Sequence, residues 1–321
     1  MVEEVLRSLR AACPIPPRLS PYADPVQEWL LDRLPRLGLP LDGTARERLD
    51  RARFARYAGR LYPDATEPDL RTLAALFTWF FLVDDACDGP DRLAPPQILA
   101  LRAGALSLLR EGPRGRHPGF GGPLRRLLVE AWRVPRRRMP ARWRLRFADA
   151  VAHHLDGTWR ESVARDLGRR PSVAEYVELR RATSAAYVSY PLIEFAAGRP
   201  LPDPVCHHPS LRRIGELGND LLSWYNDLAS LDRDRATSGG HNLVLAVAAE
   251  RGVPLDAAVY LVAGRWRAAM DRFVALRASV PSFGPALDPA VATHLDGIAD
   301  AVRGTLDWTT ESARYPASHD A

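Results

Sequence analysis

Residues 73–88 read LAALFTWFFLVDDACD, and the rest of the chain is best taken outward from this stretch. From Leu73 to Val83 it is almost wholly apolar or aromatic. Asp84, Asp85 and Asp88 then follow within five positions. No Gly or Pro interrupts the run before Gly89-Pro90, so the pattern predicts one helix that ends there. On that helix positions 84 and 88 stand about 40° apart, which puts their carboxylates on a shared face. An aromatic wall ending in clustered negative charge suits an apolar cavity with a metal ion at its mouth.

On either side the pattern stays helical. Residues 1–25 carry Pro14, Pro16, Pro17, Pro21 and Pro25 and predict an irregular N-terminal arm. From Val26 the period is helical, with Trp29, Leu30 and Leu34 on one side before Pro35 and Gly38. Further helices are predicted over 43–60, 97–110, 124–138, 140–166, 173–197 (with Pro191 inside it), 211–231, 242–251, 255–279 and 289–312. Trp132, Trp143, Phe147, Leu155 and Trp159 fall on apolar faces. Gly/Pro-rich loops are expected at 89–96, 111–123 and 198–210, another loop at 232–241, and a disordered tail over 316–321. Strand-like alternation is nowhere sustained, and no repeat or composition break marks a boundary. The expectation is an all-α fold, one domain spanning 26–315.

Composition bounds the function without choosing it. The 321 residues are 46% hydrophobic and 26% charged, an ordinary globular balance. The net charge is +5, and since the sequence contains no lysine, all 44 basic residues are arginine. Such a balance permits an anionic partner of any kind. Cys13, Cys87 and Cys206 are far apart and form no CxxC pair, which argues against a disulfide framework or a zinc site and fits a reducing cytoplasm. The N-terminus lacks the apolar core of a secretory signal, and Leu73–Val83 is too short to span a bilayer.

A second constellation lies about 130 residues later, in NDLLSWYNDLASLDRD at 219–234. Asn219, Ser223 and Asp227 recur at i, i+4 and i+8, drifting only about 80° around a helix and so forming one polar stripe. An amide oxygen, a hydroxyl and a carboxylate are hard ligands that suit Mg²⁺ better than zinc or copper. Alone, such a stripe is more often a solvated face. Facing the aspartate cluster across a bundle, it would hold several Mg²⁺ ions whose shells phosphate oxygens complete.

Taken together, these motifs resemble the class I terpene synthases of the single-domain bacterial type. That family's DDxxD motif is matched by Asp84, Asp85 and Asp88. Its NDxxSxxxE motif is matched by Asn219, Asp220 and Ser223, with Asp227 in place of Glu. Its C-terminal arginine–tyrosine pair is matched by Arg314 and Tyr315. Its pyrophosphate-sensing arginine is matched by Arg180, in YVELRRATS, with Arg181 beside it. YPDA at 62–65, W-x-E at 159–161 and HNLV at 241–244 also look like the family, and the likeness covers about residues 15–315.

The resemblance implies an α-helical bundle around an apolar cavity, in which three Mg²⁺ ions bind a prenyl diphosphate and draw off its pyrophosphate. It implies metal ligation by Asp84, Asp85, Asp88, Asn219, Ser223 and Asp227, and diphosphate binding by Arg180, Arg314 and Tyr315. Phe77, Phe80, Phe81 and Trp308 would line the cavity that folds the carbocation. The 232–241 loop and the tail would close over it. The resemblance points first to farnesyl diphosphate as substrate and next to geranylgeranyl diphosphate. It leaves open whether the product is a hydrocarbon or an alcohol. A homodimer is compatible with it, and neither a nucleic-acid partner nor a membrane span is expected.

Four positions depart from the family. Asp227 is one methylene shorter than Glu. Asn226 stands where many members carry a diphosphate-binding lysine, a loss Arg233 would compensate. Thr183 and Ser184 occupy the linker and effector positions after the sensor, usually Asp and Gly; Thr183 would still hydrogen-bond to Arg180, and Ser184 is less able than Gly to open the helix.

Plainer roles exist for several residues. Aromatic residues at helical spacing are ordinarily core, which applies to Trp79 and equally to the phenylalanines beside it. The pairs His153-His154 and His207-His208 lack partner motifs for a metal. Cys87 reads as a packing residue, and Tyr187 and Tyr190 are as suited to packing as to substrate contact. The arginine run 133–146 has no accompanying nucleic-acid-binding motif. Two other functions compete. A prenyl-elongating transferase would carry a second aspartate-rich motif in place of NDLLSWYND, and a non-catalytic helical prenyl-diphosphate-binding or scaffold protein would not need the intact motifs.

Overall fold

The computed structural model describes residues 1–88, 92–115, 117–237 and 241–314. In chain order the helices are α1 (Val2–Ala12), α2 (Ala23–Arg36), α3 (Gly43–Ala52), α4 (Phe54–Leu61), α5 (Glu67–Asp88), α6 (Pro95–Glu111), α7 (Gly122–Arg138) and α8 (Ala141–Asp166). They continue with α9 (Val173–Thr183), α10 (Ala186–Ala197), α11 (Asp203–Cys206), α12 (Pro209–Ala229), α13 (Leu231–Thr237), α14 (Leu243–Arg251), α15 (Leu255–Ala278) and α16 (Asp288–Glu311). No strand occurs among the described residues, so the all-α expectation holds. No helix among them is long and apolar enough to cross a membrane. Tyr315 and the tail 316–321 lie outside the described residues.

Two helices organise the bundle. α5 packs against α2, α4 and α7, and its apolar run is buried from Leu73 through Phe80. α12 packs against α15 and α16 on one side and α9, α10 and α14 on others. α8 joins the two halves by packing against α6, α9 and α10. Trp132, Trp143 and Phe147 form a stacked core cluster beside them, and Leu155 is fully buried, as their helical spacing predicted. Trp159 is half-buried against the same core.

Four local expectations need correction. The N-terminal arm is not irregular throughout: Val2–Ala12 is helical, buries Val5 and Leu9 against α12 and α15, and sends Arg10 to Asp307 at 2.8 Å. The helix predicted over 43–60 breaks at Arg53, whose φ is 52°. Buried Gln27 compensates the break by accepting from Ala55 N at 3.1 Å and donating to Leu49 O.

The helix predicted over 173–197 breaks between Ser184 and Ala186, with Ala185 at φ 60°. No glycine is present to relieve this left-handed turn, which costs about 1 kcal/mol in an L-residue. Ser184 Oγ offsets it by donating to Asn219 Oδ1 at 2.8 Å and accepting from Ala186 N at 3.2 Å. The helix therefore opens after Ser184 without glycine, because α12 pins Ser184 through Asn219. The fourth correction is α13, which occupies the first part of the loop expected over 232–241; residues 238–240 lie outside the described residues.

Candidate active site

One cavity opens between α4, α5, α8, the α9–α10 break, α12 and α16. Phe77, Phe80 and Phe81 all line it, together with Trp308 from α16 and Tyr57 from α4. Trp79, between them in sequence, points the other way and packs edge-on to Phe80 and Phe120 in the core. Phe81 stacks on Phe54 with ring centroids 4.3 Å apart, and Trp308 lies 5.3 Å from Phe81.

The aspartates sit at the mouth, in the last turn of α5. Negative charge there opposes the helix macrodipole, so the cluster is not placed for stability. Arg314, just past α16, donates to Asp85 at 2.9 and 3.2 Å and to Asp84 at 3.4 Å, while its guanidinium stands 5.0 Å from the Phe81 ring. Arg165 from α8 donates to Asp88 at 2.8 Å. Asp84 is 49% exposed and lines the mouth of the cavity. Partial burial and the charges of Asp88 and Asp85 outweigh Arg314 and Arg233, and push its pKa up to about 7. Three carboxylates thus share Arg314 and Arg165 as their ion-pair partners at the mouth. Cys87 beside it is buried, with its thiol pushed up to about 12, which fits packing rather than nucleophilic chemistry.

Opposite stands the α12 stripe, reached differently. Asp227 and Asn226 are on the cavity wall, whereas Asn219 and Ser223 stop one layer behind it, under Ser184. Asn219 donates to Arg181 O at 2.9 Å and accepts from Ser223 Oγ at 2.9 Å. Asp227 accepts from Tyr176 Oη at 2.8 Å and from Arg180 Nε at 2.9 Å. Arg180 also donates to Asn226 Oδ1 at 3.0 Å. Burial works against the Arg180 charge, but Asp227 more than offsets it, so the guanidinium is held firmly protonated. Arg181, beside Arg180, forks onto buried Asp220 at 2.7 Å through Nε and Nη2. Thr183 lines the cavity, but Asp227 and Asn226, not Thr183, are the hydrogen-bond partners of Arg180. Arg233, on α13, lines the cavity, as Asn226 does, and contacts Asp234 at 3.2 Å.

Other wall residues had little or no signal of their own. His154 is buried edge-on to Phe80, its Nδ1 3.2 Å from Ala182 O, and burial lowers its pKa to about 4, so it is neutral. Glu161 meets His241 at 3.4 Å, joining the W-x-E and HNLV stretches across the cavity. Tyr176 stands one turn before Arg180, on the same helix face. Tyr187 and Tyr190 face a separate hollow on the other side of α10, and His207 lines that hollow too.

Whether the residues suit metal ions turns on donor chemistry. Among the described residues no three carboxylate, imidazole or thiol groups converge closely enough to hold an ion unaided. What converges on the mouth is a carboxylate cluster, and opposite it an oxygen-only stripe. Both fit hard cations that take part of their coordination from a bound anion.

An all-α bundle with this cavity and these facing clusters has the class I terpene synthase fold. Solved structures agree. A germacradien-4-ol synthase from Streptomyces citricolor superposes with a TM-score of 0.79 at 27% identity, covering 92% of this chain and 98% of that one. An α-eudesmol synthase gives 0.84 at 24% identity, with 94% and 98% covered, a likeness of fold. The family described as terpene synthase family 2, C-terminal metal binding, matches residues 75–272. The chain is 30% identical to the 10-epi-cubebol synthase of Sorangium cellulosum over 312 residues, 94% of this chain and 96% of that protein. It is 28% identical to the (+)-T-muurolol synthase of Roseiflexus castenholzii, with 97% and 94% covered. The chain belongs to the terpene synthase family, and is a lyase acting on diphosphates.

Proposed function

We propose that this enzyme ionises farnesyl diphosphate with Mg²⁺, releases pyrophosphate and cyclises the resulting carbocation to a sesquiterpene. The observation that carries it is the pairing of a carboxylate-lined mouth with an aromatic cavity beneath. The relative from Roseiflexus castenholzii bears farnesyl diphosphate cyclisation in its name, which supports the fifteen-carbon chain over the twenty-carbon one.

Asp84, Asp85 and Asp88 on one side, and Asn219, Ser223 and Asp227 on the other, would hold the cations, three with diphosphate bound. When present, Mg²⁺ supplies positive charge that stabilises the departing pyrophosphate. The protein's own contribution is positional. Arg180 and Arg314, with Arg233 near the position of the missing lysine, surround the same space and bind diphosphate oxygens. Tyr315 follows Arg314 directly and is assigned the same partner. Both arginines are engaged with carboxylates, so diphosphate exchanges one set of oxygens for another rather than meeting bare charge.

Below the mouth, Phe77, Phe80, Phe81 and Trp308 face the developing allyl cation. Each ring face stabilises a passing positive charge by about 0.5–2 kcal/mol and offers no nucleophile to trap it. His154 is kept neutral by burial, so it places no competing cation on this wall. A transferase would need a second aspartate-rich motif, and α12 presents the N/S/D stripe there. Incubation with C10, C15, C20 and C25 diphosphates and mass-spectrometric analysis tests the reading. A cyclic C15 product is expected, and turnover confined to another chain length would overturn the farnesyl assignment.

A further inference from the structure

The cavity wall contains more than aromatic carbon. Tyr57 lies against Trp308 with ring centroids 4.4 Å apart and meets Phe77 edge-on at 5.3 Å. Its hydroxyl is 3.1 Å from Thr305 Oγ1. Thr305 in turn donates to the Ala301 carbonyl at 2.8 Å. A hydroxyl carries one hydrogen, so the direction of the pair is settled: Tyr57 donates and Thr305 accepts. Tyr57 and Thr305 both line the cavity, and with the phenolic hydrogen directed at α16 the Tyr57 oxygen has lone pairs, not a hydrogen, to present there. Ser189, also on the wall, follows the same pattern by donating to Ala186 O at 2.7 Å.

We propose that Tyr57, oriented by Thr305, is a product-determining residue: an electronegative point in an aromatic wall that holds the charge of a late carbocation beside α16. The inference rests on the ionisation reading above. Aromatic faces attract a cation over a broad area and discriminate little between positions along the wall. A phenol oxygen whose dipole is fixed by a hydrogen bond acts at one place and needs no reorientation when charge arrives. It therefore favours one cation over its isomers and selects among the exits open to them, which are proton loss at different carbons or further ring closure. Thr305 is a positioning residue, acting through the direction it imposes on Tyr57.

The test uses substitutions that keep the shape of the wall. Tyr57→Phe removes one oxygen, and Thr305→Val is close to isosteric but accepts no hydrogen bond, leaving the Tyr57 hydroxyl to turn. Purified variants are incubated with Mg²⁺ and farnesyl diphosphate, and pyrophosphate release and product ratios are read from the same reaction. The ratio of the main product to its side products is expected to fall about fivefold in both variants, a change that corresponds to a small shift between competing barriers. Thr305→Ser, which restores the acceptor, is expected to restore the ratio. Unchanged ratios in both variants would overturn the inference, and so would a change in Tyr57→Phe with none in Thr305→Val. If Tyr57→Phe does not fold, the Val and Ser variants at 305 decide alone. Failure of the unaltered enzyme to release pyrophosphate would instead strike the reading beneath it.

Discussion

The carboxylates of α5 and the stripe on α12 are assigned the same chemistry, yet the protein treats them in opposite ways. Asp84, Asp85 and Asp88 are 49%, 53% and 46% exposed, and they sit at a helix end that disfavours negative charge. Asn219, Ser223 and Asp227 are almost wholly buried, and each is hydrogen-bonded within the protein. The first group is three open carboxylates that share two arginine partners. The second is a node of the fold, fastened to the α9–α10 break through Ser184, Arg181 and Arg180. A ligand meeting the two sides neutralises one and must draw the other out of bonds it already has.

The sharpest way to break this contrast is to remove one member of each. Asp84→Ala and Asn219→Ala are both expected to lower pyrophosphate release by about a thousandfold. Thermal unfolding should separate them: Asp84→Ala leaves the melting temperature unchanged or raises it, whereas Asn219→Ala lowers it by about 4 °C, as expected for about 2 kcal/mol lost from a buried network. Equal destabilisation would end the distinction. Next in size, Arg181→Met strands Asp220 without its partner in the interior and should cost about 3 kcal/mol in denaturant unfolding.

The pH dependence of the open cluster is a smaller effect. Asp84 protonates below about 7, and a neutral carboxyl does not hold a cation. The apparent Mg²⁺ affinity should therefore weaken by about tenfold from pH 8 to pH 6 and level off above pH 8, as read by Mg²⁺ titration of turnover. A flat profile would mean that the mouth is better neutralised than its geometry indicates. The smallest expected change is Asp227→Glu. Its added methylene presses on the Tyr176 and Arg180 contacts, so stability should drop by about 1 kcal/mol with only about a threefold loss of pyrophosphate release.

Much of this is legible in the sequence. An apolar run ending in aspartates, uninterrupted by Gly or Pro, reads as one helix with charge at its end, and α5 is that. Residue types at i, i+4 and i+8 put Asn219, Ser223 and Asp227 on one face of α12. Other features depended on contacts distant in sequence. The turn at Ala185 carries no glycine because a hydrogen bond from Ser184 to Asn219 holds it. The break at Arg53 is sustained by Gln27, from a different helix. The prolines after Cys13 mask the helical spacing of Val5 and Leu9, which marks α1. Tyr57 sat in an arginine-laced helix with nothing to distinguish it until Trp308 and Thr305 came alongside.

The central claim is that the two unlike clusters act together on a prenyl diphosphate. The most direct measurement is pyrophosphate release from farnesyl diphosphate by the purified enzyme, with Mg²⁺ and with chelator, alongside Asp84→Ala and Asn219→Ala. The account expects release that requires Mg²⁺ and collapses in both variants. Release that persists in chelator, or that survives loss of either side chain, would contradict it.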